Sequence, residues 1–288
     1  MEKDQADNPV CQTPVRLAFR VSYLGSRFYG SQLQETERTV EGEFIAACQR
    51  LKLFSDWRKA GLLSAGRTDR GVHACGQIVA FTTEVPDRAI ESLNRQLPQD
   101  CWCTGYSLVP GQFHPRFDAV SRTYRYYFPG DLPDPADRER MDRAARSFIG
   151  SHNFTNFARV QGKNPYRNIL GIQITEEDGS LFLEVKAKSF LWHQVRCMAS
   201  ALARIGTHEA PEDSIRQLLE SAAERPIPPA PAEGLVLLET NCGIAWRPLT
   251  PGDRSGGYVD HLIAHHALMG RVCRVLKEGI KEDASNFP

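Results

Sequence analysis

The sequence lacks both a long apolar run and a net charge. No hydrophobic stretch approaches the 18 residues that a membrane-spanning helix needs, so an integral membrane protein is not expected. The first residues, MEKDQADNP, contain no apolar segment of the kind that a secretory signal requires. The 35 basic and 35 acidic side chains cancel, which argues mildly against a nucleic-acid partner when charge is counted over the whole chain.

The Cys-x-x-Cys motif is absent as well. The eight cysteines are scattered, and no two are separated by the two residues that are typical of zinc ribbons and redox motifs. A chain of 288 residues can bury a sizeable core without disulfides. We therefore expect free thiols and a reducing, cytoplasmic location.

The neutral total conceals a segregation of charge. Two stretches, residues 151–175 and 185–206, contain basic side chains and no acidic ones. These basic residues are Arg159, Lys163 and Arg167 in the first stretch and Lys186, Lys188, Arg196 and Arg204 in the second. Such segregation allows a basic cleft on a neutral protein. Solvated surface charge is the alternative.

The spacing of apolar residues predicts strands and helices in two similar halves. Strands are predicted over 16–23, 77–83, 102–109, 122–128, 169–175, 181–188 and 235–239, the first of them half-buried. Helices are predicted over 39–53, 87–97, 137–150, 190–205 and 211–223. Strands joined by hairpins, with helices gathered on one face, favour an α+β fold whose halves each resemble a ferredoxin-like split βαβ unit.

This reading divides the chain into four parts. They are a disordered lead-in over 1–14, an N-terminal half over 15–110, a C-terminal half over 111–250 and a helical extension over 251–288. One face of the extension can carry Val259, Ile263, His266, Met269 or Gly270, Cys273 and Leu276. We expect that face to pack on the body of the protein or on a partner.

A polar turn lies between an apolar stretch and a predicted strand. Residues 66–74 read GRTDRGVHA, with Asp69 between Arg67 and Arg70. Two glycines let the backbone take a positive φ or approach a ligand closely. A guanidinium within a few ångströms would keep the Asp69 carboxylate ionised, and an ionised carboxylate on a rigid turn can act as a nucleophile or a base. A surface turn with solvated arginines is the alternative.

Three further polar segments are candidates for the same site. Residues 113–119 and 121–126 read FHPRFDA and SRTYRY; alternating arginines and tyrosines suit nucleic acid, because aromatic rings stack on bases and arginines hold phosphates. Arg196 follows apolar residues on a predicted helix, where a half-buried guanidinium would require a carboxylate partner. Residues 232–237 read AEGLVL, an apolar strand entered through a glycine. Ordinary core packing is the alternative for each segment.

Together these segments resemble the TruA-type tRNA pseudouridine synthase family. The resemblance rests on the GRTD-x-GVH turn, the FH-x-RF stretch followed by R-x-Y-x-Y, the sequence NFTNF over 153–157, the F-x-x-x-x-VR helix and the EGL strand. These motifs occur in the family's order from about Val15 to Trp246. The resemblance implies the pseudouridine synthase fold, in which two ferredoxin-like halves share a mixed, largely antiparallel sheet with helices on the outer face and a central cleft.

The same resemblance implies a function. It implies conversion of uridine to pseudouridine in the tRNA anticodon arm, at positions 38, 39 and/or 40, without a cofactor or a metal, and usually by a homodimer. Asp69 would be the nucleophile, and Arg196 would pair with it and hold it ionised. Arg67 would hold the flipped nucleotide or fill its space. Tyr124 would stack on the uracil and help to take the C5 proton, and Leu235 would pack against the base.

Further substrate contacts are expected around this centre. The candidates are Arg70, His73, Arg116, Arg122, Arg159, Lys163 and Arg167, of which the last five would hold phosphates. For His73 and for His114, support of the turn and strand is favoured over proton transfer. Leu24, Ser31, Arg70 and Asn153 differ from residues that are common in the family, and the extension after Trp246 has no clear counterpart there.

Three other functions remain open at this stage. A non-catalytic RNA-binding module on the same scaffold would not need Asp69. A hydrolase acting on a small glycoside would need a second acid nearby, and the turn offers only arginines. A pseudouridine synthase acting on uridines of other RNAs would keep the chemistry and change the target.

Overall fold

The computed structural model describes residues 13–129, 135–221 and 226–285. The strands are β1 Val15–Tyr23, β2 Leu63–Ser64, β3 His73–Thr83, β4 Cys101–Leu108, β5 Ser121–Tyr127, β6 Gly150–Asn153, β7 Tyr166–Glu177, β8 Ser180–Ala187, β9 Leu235–Asn241 and β10 Arg247–Pro248. The helices are α1 Val40–Arg50, α2 Pro86–Gln96, α3 Pro135–Ala145, α4 Gln194–Gly206, α5 Ser214–Glu220 and α6 Asp253–Ser285. Nearly all of the lead-in predicted over 1–14 lies outside the described residues.

The strands form one sheet in the order β10-β4-β1-β3-β9-β5-β8-β7-β6, with β2 also on β3. In the first half the antiparallel order is β4-β1-β3-β2, and in the second it is β9-β5-β8-β7. Each is the order of a ferredoxin-like unit, because a helix joins two strands across a third that lies between them. The predicted α+β class with two such halves is confirmed. The parallel pairing of β3 with β9 joins the halves.

Each half has its own hydrophobic core on the helical face of the sheet. The first core includes Phe19, Phe44 and Phe81, whose rings meet edge to face or stacked. The second core gathers α3, α4 and α5 around β5, β7 and β8. Tyr124 on β5 packs against both cores, so it lies at their junction.

Strand β1 is buried on both faces, not half-buried as its alternation predicts. Its inner face carries Leu17 and Phe19, and Ala18 on the other face is also fully buried. The second face is covered by a small cluster around Phe113, which comes from the loop after β4. Arg16 is also buried in this layer, where its guanidinium donates hydrogen bonds to main-chain oxygens. A cover of this kind comes from distant loops, which the local pattern does not reveal.

Most predicted helices occur, but several bounds differ. α1 begins after Thr39, whose hydroxyl accepts from the Gly42 N–H at 3.2 Å. α4 begins at Gln194 and not at residue 190, because His193 takes a left-handed φ of 64° that a helix cannot contain. The helix predicted over 137–150 ends at Ala145 and is followed by the 3-10 turn Arg146–Phe148, while α5 is shorter than predicted.

The extension is helical, as predicted, but its apolar face does not pack on the body. Ser255 is buried, and Tyr258 and Val259 are half-buried. Farther along, Ile263 and Leu276 are 64% and 62% exposed. Among the described residues, no helix combines the length and the apolar content required to cross a membrane.

Gly76 allows β9 to approach β3 closely, which gives a test of the joint between the halves. A Cβ on Gly76 would lie 2.7 Å from the Cα of Glu239 and nearer still to the carbonyl oxygen of Leu238. We expect Gly76→Ala to lower the free energy of unfolding by about 1–3 kcal/mol, the usual cost of overpacking. Gly171→Ala is the matched control, because nothing lies within 4 Å of its Cβ position. Urea unfolding of both variants measures the difference, and equal stabilities would contradict the close approach.

Candidate active site

The turn that carries Asp69 is anchored by buried polar side chains. The Ser31 hydroxyl accepts from the Thr68 N–H at 2.8 Å, and the Ser31 N–H donates to the Thr68 carbonyl at 3.1 Å. The Tyr23 and Thr68 hydroxyls lie 2.8 Å apart, and Gln77 donates to the Gly66 carbonyl at 2.8 Å. These bonds fix the main chain on the N-terminal side of Asp69. Ser31, a departure from the family pattern, is therefore a main anchor of the turn.

Two glycines, Gly71 and Gly25, allow the backbone to pack closely around the Asp69 turn. Gly71 has a φ of 85°, as the sequence predicts for a glycine of the turn. Gly25, from the loop after β1, lies so close that a Cβ would overlap the carbonyl oxygen of Val72. The Gly25 N–H donates to Nδ1 of His73 at 3.0 Å. The turn is therefore held by the main chain on both sides of Asp69.

The partners of the Asp69 carboxylate come from the second half of the chain. Nη1 of Arg196, in the first turn of α4, lies 3.0 Å from Oδ2. Nε1 of Trp192 donates to Oδ1 at 2.8 Å. Nε2 of His193 lies 3.3 Å from Oδ2. The Nε of Arg196 donates to the Ala230 carbonyl at 2.7 Å, which sets the direction of the guanidinium. Both carboxylate oxygens thus have fixed partners.

The cation beside Asp69 is Arg196, not one of the two flanking arginines. Its side chain is 13% exposed and that of Asp69 is 26% exposed, so solvent screens the pair less than a surface pair. A charge-assisted hydrogen bond at this distance is stronger than one between neutral groups. Arg70 instead lies over the ring of Tyr29, with its Cζ 4.2 Å from the ring centroid. Arg67 is exposed at the rim of the pocket.

His193 and Trp192 are site residues that sequence reasoning missed. Burial lowers the pKa of His193, and the Asp69 charge only partly opposes this, so the ring is neutral at pH 7. Its Nδ1 is buried and has no hydrogen-bond partner among the described residues. The left-handed backbone at His193 turns the two rings toward Asp69. Neither residue has a sequence signal beyond its place in the F-x-x-x-x-VR segment.

A half-open pocket lies beside the carboxylate. Its apolar lining includes Val72, Tyr124, Phe190 and Leu235. The rings of Tyr124 and Phe190 meet edge to face with centroids 5.3 Å apart. Burial raises the pKa of Tyr124 to about 12, so its hydroxyl stays protonated at neutral pH. An apolar lining with one carboxylate at its edge suits an uncharged ring.

Two predicted substrate contacts have structural roles here. Arg122 is buried, and its guanidinium donates to the carbonyls of Lys188 at 2.6 Å, Ala65 at 2.7 Å and Arg116 at 3.1 Å. It is therefore not placed to hold a phosphate, contrary to the prediction. The ring of His73 accepts the Gly25 N–H, and burial lowers the pKa of His73. It supports the turn, which is the role that its position favours.

The other predicted basic contacts lie at the surface or near it. Arg116 and Lys163 are exposed, and Arg159 is exposed with its Cζ 4.9 Å from the ring centroid of Trp192. The Trp192 ring therefore contacts both the Arg159 guanidinium and the Asp69 carboxylate. Arg167 is half-buried and donates to two main-chain carbonyls, and burial lowers its pKa. Within residues 13–129, 135–221 and 226–285, no cluster of three His, Cys, Asp or Glu side chains could hold a metal ion.

Known proteins resemble this chain over most of its length. A family model described as tRNA pseudouridine synthase matches residues 144–241. A Methanosphaerula palustris protein named tRNA pseudouridine synthase A is 51% identical over 245 residues, which cover 85% of this chain and 86% of the relative. Proteins of the same name from Methanoculleus marisnigri and Thermococcus kodakarensis are 48% and 42% identical. The match to the Methanoculleus marisnigri protein covers 90% of this chain and 94% of that relative. The match to the Thermococcus kodakarensis protein covers 77% of this chain and 83% of that relative.

Loss of Arg196 tests the contact between the halves. We expect Arg196→Met to lower the free energy of unfolding by about 1.5–3 kcal/mol, the range for hydrogen bonds to charged groups. The physical reason is that the variant leaves Asp69 without its cation and the Ala230 carbonyl without its donor. Arg143→Met, which removes an exposed pair with Glu212, is the control and should change little. Chemical unfolding compares the two, and equal effects would show that the Arg196 pair adds no stability.

Proposed function

This chain belongs to the tRNA pseudouridine synthase family and is an isomerase that makes pseudouridine in tRNA; from that premise we propose that it acts on uridines 38, 39 and/or 40 of the anticodon stem-loop, with Asp69 as the reacting carboxylate. The observation that carries the assignment of Asp69 is its position. It is paired with Arg196 at 3.0 Å and lies at the edge of a pocket with an apolar lining.

The reaction requires one bond to break and another to form on the same nucleoside. The N1–C1′ bond breaks, the uracil turns, and C5 joins C1′; the C5 proton leaves and N1 gains a proton. Nothing is oxidised or reduced, so the balance needs no redox cofactor. A carboxylate can trap or stabilise the electron-poor sugar, as in glycosidases. Attack of Asp69 on the sugar and removal of a sugar proton by Asp69 both satisfy this balance.

The target base has to leave the helical stack before Asp69 can reach its sugar. We assign Arg67, exposed at the rim of the pocket, to hold the extruded nucleotide or to fill the space it leaves. Tyr124 would stack on the uracil, and the buried Leu235 would pack on its edge. Because the Tyr124 hydroxyl is protonated at neutral pH, we assign it to stacking in preference to proton removal.

The grip on the RNA would come from cations outside the pocket. Arg159 lies on Trp192 close to Asp69, and Arg116 and Lys163 are exposed. Arg70 over Tyr29 adds a guanidinium and an aromatic ring beside the turn. Rings and guanidinium groups of this kind bind single-stranded nucleotides. The proposal includes a homodimer on one tRNA, and a cytoplasmic location that agrees with seven free cysteines among the described residues.

Replacement of the carboxylate tests the reaction. We expect Asp69→Asn to abolish tritium release from tRNA that carries 5-tritiated uridine, because an amide is not a nucleophile, and to leave tRNA affinity within about threefold, since the phosphate contacts that dominate affinity are retained. The control is Asp56→Asn, which alters another turn aspartate far from Arg196 in the chain. Turnover in Asp69→Asn would end the assignment. Absence of turnover in the native protein on every tRNA would end the proposed function.

The choice of target is tested separately. Anticodon-arm tRNA transcripts in which uridines 38, 39 and 40 are replaced singly by cytidine are incubated with the native protein, and pseudouridine is mapped at each position. We expect the product to disappear only when the target uridine is replaced. Product at uridines outside the anticodon arm, with none at these three, would favour the alternative that the enzyme acts on other RNA uridines.

A further inference from the structure

The indole of Trp192 connects a basic side chain at the surface to the Asp69 carboxylate. The Arg159 N–H donates to the Trp192 carbonyl at 2.9 Å, and the Arg159 guanidinium lies over the indole ring. The ring of His193 lies beside the indole, with the two ring centroids 4.6 Å apart. The main chain and the ring of Trp192 are therefore both held, and its Nε1–H donates to Oδ1 of Asp69 at 2.8 Å.

The two oxygens of the Asp69 carboxylate have unequal surroundings. Oδ2 lies 3.0 Å from Nη1 of Arg196 and 3.3 Å from Nε2 of His193. Among the described residues, Oδ1 has one donor, the indole N–H of Trp192. Each carboxylate oxygen has two lone pairs, so Oδ1 keeps one that no described side chain occupies. Oδ1 is therefore the oxygen that is available to a sugar.

A donor on Oδ2 alone does not fix the plane of this carboxylate. The terminal torsion of an aspartate is broad and roughly two-fold, so a carboxylate held at one oxygen can turn about its Cβ–Cγ bond. Ser31 and Gln77 bind the main chain of the turn and leave this torsion free. A second donor on the other oxygen fixes the plane. Trp192 provides that donor, because an indole N–H donates and has no acceptor atom.

We propose that Trp192 is a positioning residue for pseudouridine formation, and that its N–H holds Oδ1 of Asp69 in the orientation in which the carboxylate meets the sugar. The inference rests on the proposed role of Asp69 as the reacting carboxylate. Reacting groups have to be held within a narrow geometry, and a misplacement of about 1 Å can cost about 10²-fold in rate. Trp192 thus acts through Asp69 on the chemical step and not on the binding of tRNA.

The alternative is that Trp192 forms a surface on which a nucleotide stacks. The residue is 38% exposed, and exposed aromatic rings bind bases. A guanidinium and an imidazole already contact this ring, and its N–H already has a partner. These contacts favour positioning. The two roles predict different kinetic changes, because loss of a positioning residue lowers kcat, whereas loss of a surface that only binds RNA raises KM.

Replacement of the indole by a phenyl ring separates the two roles. Trp192→Phe removes the N–H and keeps an aromatic ring. We expect it to lower kcat for tritium release from tRNA by about 10- to 100-fold and to change KM by less than about threefold. The matched control is Trp57→Phe, which should keep the native kcat. Trp57 also has an arginine over its ring, with Cζ of Arg58 4.3 Å from the ring centroid, and it does not line the pocket.

A native or higher kcat in Trp192→Phe would overturn the proposal, and a raised KM at that kcat would identify the indole as an RNA-binding surface. Inactivity of the native protein on every tRNA would instead end the proposed function on which the inference rests. If Trp192→Phe does not fold, the second variant carries benzothienylalanine at position 192, which has the shape of tryptophan with sulfur in place of the N–H. We expect the same loss of kcat, and a native kcat there would also overturn the proposal.

The contact between Trp192 and Asp69 is measurable without RNA. Protein labelled with ¹⁵N-tryptophan gives an indole N–H signal for each of its four tryptophans, and the signal that is missing from Trp192→Phe belongs to Trp192. We expect this signal to move in Asp69→Asn, because the ionised acceptor is replaced by a neutral amide. The signal of Trp57, identified with Trp57→Phe, should stay in place. A Trp192 signal that does not respond to Asp69→Asn would overturn the proposal.

Discussion

The contact between Asp69 and Arg196 is the interaction on which the site depends. The acid lies on a turn of the first half, and the guanidinium lies on the first turn of α4 in the second half. Neither half contains a complete site. The join between them, the parallel pairing of β3 with β9, comes directly after the turn that carries Asp69. The sheet therefore fixes the acid near its cation, and the packing of Tyr124 on both cores keeps that junction closed.

The surroundings of the pair explain how the Asp69 carboxylate is held in a fixed position. Ser31 and Gln77 bind the main chain of the turn, and these bonds fix the backbone position of Asp69. Trp192 and Arg196 then bind its two oxygens from one side. These fixed donors hold the carboxylate in one orientation. The apolar lining of the pocket remains open beside the carboxylate.

Local signals in the sequence predicted the parts of the structure that depend on local chemistry. The helix that begins near residue 39, the pairing of the strands predicted over 169–175 and 181–188, and the glycine turn around Asp69 all follow from short-range rules. The buried position of Arg122 could not be predicted, because its three carbonyl partners come from distant segments. The family motifs predicted that Asp69, Tyr124 and Arg196 belong to one site. They gave no sign that the left-handed His193 would delay the start of α4 and turn Trp192 toward the acid.

The division of the site between two cores has a consequence for synthesis of the protein. The ribosome makes the first half, with its acid and its anchored turn, before it makes Arg196. Until β9 adds to β3, the nascent carboxylate has neither its counter-ion nor the floor of its pocket. A chain that is released early, or one whose second half misfolds, therefore exposes the acid without these partners. The site is therefore assembled only when the tertiary structure is complete.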